Sequence, residues 1–271
     1  MVSAEQEART AAEDFREHHH LGVQPLGDLV ALIEQTTGHD VVVLDASADS
    51  HGLTMRDPVR GRTFLGVARS RHPMRQRSTL AHELAHVIFG DWTEDLAARS
   101  PEEIRADAFA RHLLIPRAGL IAFLGEKTSA DLSMLSDVVQ RFVVSPALAA
   151  IALRDAGLID PGMYEEWKQL TTPHLATRFG WADHYATLQA DADRLRAPQG
   201  LVARAIAGYA AGVLSAQAIA TLRGVPVETV QEELAAVGIV PEQPDPEAHE
   251  LHELPEITID LSDLGDADPS A

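Results

Sequence analysis

The chain has 271 residues, of which 45% are hydrophobic and 23% charged. A chain of this length can bury a core of its own, which is consistent with one moderate domain plus a smaller one. It contains no cysteine, which excludes disulfides, zinc–thiolate sites, iron–sulfur clusters and thiol nucleophiles. Any metal ion would therefore have to be held by histidine and carboxylate side chains.

The formal net charge is −19, from 41 acidic and 22 basic residues. Direct DNA binding requires clustered Lys and Arg that contact phosphates, and this charge argues against it. No apolar run approaches the roughly 20 residues that span a bilayer, and residues 1–20 do not resemble a signal peptide. We therefore expect a cytoplasmic protein that makes no membrane contact.

The first 67 residues are predicted to contain two helices followed by three short strands. The helices cover residues 3–17 and 25–38, and the strands cover residues 41–44, 52–57 and 62–67. Ser3 and Gln6 form a capping box at the start of the first helix. Gly38 ends the second helix, and a turn at residues 57–61 joins the last two strands.

Two further helices carry the candidate chemistry. The first is predicted from Pro73 to Phe89, with Gly90 as its C-terminal stop. The second begins at Ser100, where an N-cap is followed by a proline and two acids, and it ends before Pro116. The rest of the chain, to about residue 240, is predicted to be helical.

The first of these two helices contains the sequence His82-Glu83-Leu84-Ala85-His86. Residues four apart share a face of a helix, so both imidazoles can reach one ion. Glu83 lies on the adjoining surface, where it can act as a general base towards a water on that ion. A catalytic zinc ion takes three protein ligands and keeps one open position, so one ligand is still needed. The alternative is a histidine-rich surface helix that binds no metal.

The second helix is expected to supply the third ligand. Glu103 and Asp107 are four residues apart and share a face. We predict that Glu103 binds the metal and that Asp107 accepts the free N–H of a liganding histidine. Asp91 is closer in sequence, but it follows Gly90 and lies past the end of the first helix. The alternative is that these acids only stabilise the helix N-terminus, an explanation that suffices for Glu102.

Three segments together resemble the ImmA/IrrE metallopeptidases, a gluzincin-like family. They are residues 75–86 (Arg-Gln-Arg-Ser-Thr-Leu-Ala-His-Glu-Leu-Ala-His), 103–110 (Glu-Ile-Arg-Ala-Asp-Ala-Phe-Ala) and 113–116 (Leu-Leu-Ile-Pro). The resemblance extends over residues 20–160. Members are intracellular zinc-dependent enzymes of bacteria, phages and mobile elements that cleave helix-turn-helix repressors. The resemblance implies His82, His86 and Glu103 as ligands of Zn²⁺, with Mn²⁺ as the alternative ion, and Glu83 as the general base.

Three positions depart from the family pattern. Ser78 replaces the usual aromatic residue, Ala85 replaces the usual glycine, and Asp107 stands where asparagine is more common. The first two are expected to alter packing around the helix. Asp107 still offers a hydrogen-bond acceptor.

The resemblance also implies a mechanism. The metal would polarise the scissile carbonyl and lower the pKa of its water towards about 7. Glu83 would take the proton from this water and pass it to the leaving amine. A further donor should stabilise the oxyanion. Four residues are candidates for this donor, and the sequence does not separate them: Arg111, His112, His184 and Tyr185.

The implied fold class is α+β, with a zincin-like core that combines a small three-stranded sheet with the helix of the His-Glu-Leu-Ala-His motif. We predict a peptidase domain at residues 1–160, a helical domain at residues 161–240, and an acidic tail at residues 241–271. The tail carries ten acids and no Lys or Arg. Such a segment buries too little apolar surface to offset its ordering entropy, so we predict disorder there.

Two segments of the helical half have a helix-turn-helix pattern, at residues 132–156 and 214–238. The second helix of the first unit is almost entirely apolar and offers little that could hydrogen-bond a base edge. In the second unit this helix carries Glu228, Glu232 and Glu233, which would repel phosphate. We therefore interpret both units as packing or partner-docking elements.

The resemblance thus implies a zinc endopeptidase that cuts a helix-turn-helix repressor of the XRE type and so derepresses stress or mobile-element genes. The alternative is a non-catalytic regulatory protein that binds such a repressor, with zinc structural or absent.

Overall fold

The computed structural model describes residues 3–46, 52–59, 61–92 and 100–242. Within these residues the fold is α+β, as predicted, with one three-stranded sheet and a long helical C-terminal part. The predicted disordered tail lies outside the described residues from position 243 onward.

The strands are β1 (Asp40–Leu44), β2 (Leu53–Asp57) and β3 (Arg62–Ala68). The helices, in chain order, are α1 (Ala4–His18), α2 (Leu29–Thr37), α3 (Pro73–Phe89), α4 (Pro101–Leu114), α5 (Arg117–Leu124), α6 (Leu132–Phe142), α7 (Pro146–Asp155), α8 (Pro161–Trp167), α9 (Thr172–Arg178), α10 (Ala182–Ala192), α11 (Gln199–Ala210), α12 (Ala216–Arg223) and α13 (Val227–Ala236).

The sheet has β3 at its centre, parallel to β1 and antiparallel to β2. Leu65 of β3 is fully buried and pairs with Val41 on one side and Thr54 on the other. Helix α3 packs against β2 and β3, and α4 packs against α3. The sheet therefore forms one wall beside the helix that carries the two motif histidines.

Helix α2 begins at Leu29, so its predicted start near Pro25 is wrong. The carboxylate of Asp28 accepts hydrogen bonds from the N–H groups of Val30 (3.1 Å) and Ala31 (3.2 Å), which makes Asp28 the N-cap. Arg77 of α3 donates to the carbonyl oxygens of Leu26 and Gly27. Because Arg77 binds these two carbonyls, Leu26 and Gly27 are held in a loop that precedes helix α2.

Helix α1 packs along α4. The fully buried ring of Phe109 in α4 makes edge-on contacts with Phe15 of α1 (6.4 Å between ring centroids) and Phe89 of α3 (6.0 Å). These aromatic contacts fix the relative positions of α1, α3 and α4. The two helices with the predicted ligands are thus joined through a rigid apolar core.

The main core extends past residue 160. Trp167, Leu175, Trp181 and Tyr185 are buried in the same cluster as α3 and α4, and the indole N–H of Trp181 donates to the hydroxyl of Ser136 (2.9 Å). A second, smaller cluster is built from residues of α11, α12 and α13. The domain limits given above stay predictions.

The first helix-turn-helix-like unit corresponds to α6 and α7. No single helix of the described ranges is long and apolar enough to cross a membrane; α6 and α7 meet that criterion only together, and they are bent by 111°. Ala149, Ala150 and Leu153 of α7 are buried in the main core. The partner-docking role of both units stays a prediction.

Candidate metal centre

The two motif histidines lie one turn apart on α3. Their Nε2 atoms are 3.0 Å from each other, and the rings meet edge-on with centroids 4.8 Å apart. Helix α3 continues only to Phe89, because Gly90 ends it in the left-handed conformation (φ 73°). His86 therefore lies in the last turn, where the chain leaves the helix.

Glu103 lies in the first turn of α4 and faces both histidines. Its Oε2 is 3.3 Å from Nε2 of His82, and its Oε1 is 3.4 Å from Nε2 of His86. The start of α4 is fixed by Ser100, whose hydroxyl accepts a hydrogen bond from the Glu103 N–H (3.2 Å). One ligand atom from each of the three residues lies within 4.8 Å of the others.

The separations between these atoms suit a tetrahedral ion. Zn–N and Zn–O bonds of about 2.0–2.1 Å place ligand atoms roughly 3.3 Å apart along a tetrahedral edge. The two Nε2 atoms are 3.0 Å apart, and those of His82 and His86 lie 3.3 Å from Oε2 and 3.4 Å from Oε1 of Glu103, so each imidazole faces a different oxygen of the same carboxylate. A bound cation would also offset the electrostatic repulsion between the two imidazole lone pairs and the Glu103 carboxylate. His82, His86 and Glu103 therefore fit a divalent metal.

Asp107 fixes the orientation of His82. A carboxylate oxygen of Asp107 lies 2.9 Å from Nδ1 of His82, so the neutral ring carries its proton on Nδ1 and leaves the Nε2 lone pair free for a metal. Burial opposes protonation of His82, but the Asp107 hydrogen bond and the charges of Asp107, Glu103 and Glu83 outweigh it and raise its pKa. This is the contact predicted for Asp107.

Asp91 occupies the corresponding place beside His86. Its Oδ2 is 3.6 Å from Nδ1 of His86, a buried nitrogen that has no hydrogen-bond partner among the described residues. The Asp91 carboxylate is 11% exposed and accepts two hydrogen bonds from Arg105 (3.0 and 3.1 Å). Arg105 lies over the ring of Phe89 and also pairs with Glu7 of α1 (3.0 Å). The position of Asp91 past the helix end argues against a ligand role but allows it to turn back towards His86.

Asp91→Asn is expected to weaken zinc binding about 10- to 100-fold, because a neutral amide orients the His86 ring less well than a carboxylate does. The affinity can be measured on metal-free protein by competition with a chromophoric chelator. Asp45→Asn is the matched control, since Asp45 is exposed and pairs with Arg69. Equal zinc affinity of the two variants would show that Asp91 does not support His86.

The predicted general base, Glu83, is held by strand β2. Its side chain is nearly buried, with 7% of the residue exposed, and its Oε2 accepts a hydrogen bond from the hydroxyl of Thr54 (2.6 Å). Gly52 lies directly against it: a Cβ at this position would come within 2.3 Å of Cγ and Oε1 of Glu83. The Glu83 carboxylate is therefore confined by the Thr54 hydroxyl on one side and by the backbone of Gly52 on the other.

Residues 36–154 match the Peptidase_M78 family model, described as an IrrE N-terminal-like domain. This segment is a Peptidase_M78 domain. The resemblance to the ImmA/IrrE family is thereby confirmed, and the match supports a metallopeptidase. It includes Thr54, Glu83, Asp91 and Glu103, whereas α1 lies outside it. A comparison with curated proteins found no match.

None of the four oxyanion candidates is assigned the role by the structure. His112 lies nine residues after Glu103, which is half a turn around α4 and about 14 Å along its axis. Arg111 and His112 both contact Glu5 of α1. Tyr185 packs edge-on against Trp181, and His184 lies beside the amide of Gln140.

Three supporting residues of the Peptidase_M78 domain were not predicted. Thr54 lies in β2, 29 residues before Glu83, and Gly52 lies just before that strand; only the pairing of β2 with β3 brings them to α3. A glycine at the start of a predicted strand can indicate close approach by another group, which was the available signal. For Asp91, the signal was a carboxylate directly after a helix-ending glycine.

Proposed function

We propose that the chain is a zinc-dependent endopeptidase that cleaves a helix-turn-helix repressor of the XRE type, and so derepresses stress or mobile-element genes in the cytoplasm. The observation that carries the proposal is the convergence of His82, His86 and Glu103 beside Glu83 within a Peptidase_M78 domain. Two imidazoles and one carboxylate are a ligand set of catalytic zinc sites that leave one position open.

A bound zinc ion would supply a Lewis acid for the scissile carbonyl and would acidify a water molecule. Glu83 would take the proton of that water and deliver it to the leaving amine. Thr54 restrains the Glu83 carboxylate through its hydroxyl, so the base does not have to be ordered when substrate binds. Asp107 keeps the His82 Nε2 lone pair directed at the shared ligand position.

A polypeptide substrate is supported by the position of β2 at an edge of the sheet. Thr54, which donates to Glu83, lies on this strand, and among the described residues β2 pairs only with β3. An edge strand can add an extended polypeptide through backbone hydrogen bonds. The repressor class is supported by the family resemblance, and α6–α7 and α12–α13 are proposed to help position it.

The experiment that tests this proposal uses purified XRE-type repressors from the same genome. Each is incubated with the zinc-loaded full chain, and the products are read by intact-mass spectrometry and N-terminal sequencing. We expect one repressor to be cut at one internal bond, and EDTA to abolish the cut. Stable binding of a repressor without any cleavage would instead support a non-catalytic regulator, and cleavage of unrelated proteins alone would refute the proposed substrate class.

A further inference from the structure

A cavity of about 650 Å³ lies on the side of α4 away from the metal centre. It is enclosed by the first half of α1, the end of α4, the start of α5, the end of α7, and α8. His112 in its wall lies half a turn around α4 from Glu103. The cavity is therefore distinct from the metal site, and its volume is in the range of small-molecule sites.

The rim of this cavity is positively charged. Four arginines and two acids line it, namely Arg9, Arg111, Arg117, Arg154, Glu5 and Asp155. A local excess of arginine is unexpected in a chain whose net charge is −19. Arginine is the side chain best suited to hold a carboxylate or phosphate, because its planar fork can donate two parallel hydrogen bonds.

The two rim acids do not neutralise all four arginines. Glu5 is shared by Arg111 and His112 (2.7 Å to the latter), and Asp155 pairs with Arg154 (2.9 Å). Arg117 donates to the backbone carbonyl of Asp155 (2.9 Å), which carries no formal charge. In the described part of the chain, no carboxylate lies within ion-pair distance of Arg117.

Arg9 also has unused hydrogen-bonding capacity. Its Nε is buried and has no hydrogen-bond partner among the described residues, and Glu13 approaches it only to 3.7 Å. Burial lowers the pKa of the His112 imidazole, and the charges of Arg111 and Arg9 lower it further against the opposing effect of Glu5. With four guanidinium groups and two carboxylates among its lining residues, the cavity carries a net positive charge.

The inner wall of the cavity is apolar. It is formed by Ile115, Leu120, Ile151, Ala152 and Tyr164. Ile115 and Leu120 are almost completely buried, and the guanidinium of Arg154 lies over the Tyr164 ring, 4.6 Å from its centroid. An occupant must therefore combine an apolar body with an anionic end.

We propose that this cavity, the arginine pocket, binds a small amphipathic carboxylate. The apolar body of the ligand lies against Ile151, Ala152 and Tyr164, and its carboxylate accepts hydrogen bonds from Arg117 and Arg9.

The test uses the full-length, zinc-loaded protein and two probes of the same shape, 2-naphthoate and its neutral counterpart 2-naphthamide. Isothermal titration calorimetry is expected to show naphthoate bound at least about tenfold more tightly than the amide, since only the anion forms charge-assisted hydrogen bonds with the guanidinium groups. Arg117→Gln should weaken naphthoate binding by a similar factor. Arg178→Gln, which changes an exposed arginine of α9, should have no effect.

Arg9→Gln removes the second arginine of the proposed carboxylate site and should also weaken naphthoate binding. Metal content and circular dichroism are recorded for every variant, so a damaged fold or metal centre is distinguished from a damaged pocket. The proposal is overturned if acid and amide bind equally, if naphthoate does not bind up to its solubility limit, or if Arg117→Gln and Arg178→Gln behave alike. None of these results would affect the proposed peptidase function.

Discussion

Glu83→Gln is expected to reduce cleavage by about 10²- to 10⁴-fold, the usual contribution of a positioned general base, while zinc content and fold are retained. Glutamine keeps the shape of the side chain and can still accept a hydrogen bond from Thr54, but it has no basic oxygen that could take a proton from water. The loss should appear in kcat for a cleaved repressor, measured by the rate of product formation.

The matched control is Glu166→Gln, which alters an exposed carboxylate in α8. It removes the same charge from the chain and should cleave at the wild-type rate. Cleavage by Glu83→Gln at the rate of Glu166→Gln would contradict the assignment of Glu83 as the base. Loss of zinc from Glu83→Gln would mean that the variant reports on the metal site instead.

Gly52→Ala is expected to lower activity about 100-fold with zinc affinity unchanged. The added Cβ would come within 2.3 Å of the Glu83 side chain, far inside van der Waals contact, so the carboxylate or the start of β2 must move. A displacement of about 1 Å at a catalytic group can cost about 10²-fold in rate. The three atoms nearest to the added Cβ all belong to Glu83, which is not one of the three metal ligands, and metal binding should therefore be preserved.

Gly66→Ala in the neighbouring strand is the control for this prediction. A Cβ at Gly66 would meet Leu53 at 3.5 Å, an ordinary contact, and should leave the rate unchanged. Cleavage rates and zinc affinities of both variants are compared with the wild-type chain. Equal rates for Gly52→Ala and Gly66→Ala would show that Glu83 does not depend on the bare backbone at position 52.

The parts of the site that could be predicted from sequence are those governed by local rules. Helix α3 begins at Pro73 and ends at Phe89, as its proline start and glycine stop indicate, and Ser100 caps α4. The four-residue spacing of His82 and His86 holds on any helix. The contact of Asp107 with His82 required only that the two predicted helices face each other.

The remaining parts depend on packing between distant segments. Thr54 reaches Glu83 only because β2 pairs antiparallel with β3 and α3 lies across both strands. Asp91 reaches His86 because Arg105, which lies fourteen residues later in the chain, hydrogen-bonds the Asp91 carboxylate and holds it next to the His86 ring. The start of α2 was displaced for a similar reason, since Arg77 binds the carbonyls of Leu26 and Gly27. Such contacts leave no periodic signal in the sequence.

Helix α1 extends the support of the metal centre beyond the family match. It lies outside residues 36–154, yet Glu7 pairs with the same Arg105 that holds Asp91. Its apolar face also packs on α4 through Phe15 and Phe109. Helix α1 therefore packs against and stabilises the Peptidase_M78 domain, although the family model does not cover this helix.

The central claim is that His82, His86 and Glu103 bind one metal ion, and metal content tests it most directly. Purified wild-type protein is compared with His82→Ala and Glu103→Ala by elemental analysis, and His174→Ala, an exposed histidine of α9, is the control. We predict one equivalent of zinc in the wild-type and control proteins and a loss of most of it in both ligand variants, with manganese as the other ion to be assayed. A wild-type protein without metal after reconstitution, or ligand variants that retain a full equivalent, would contradict the account.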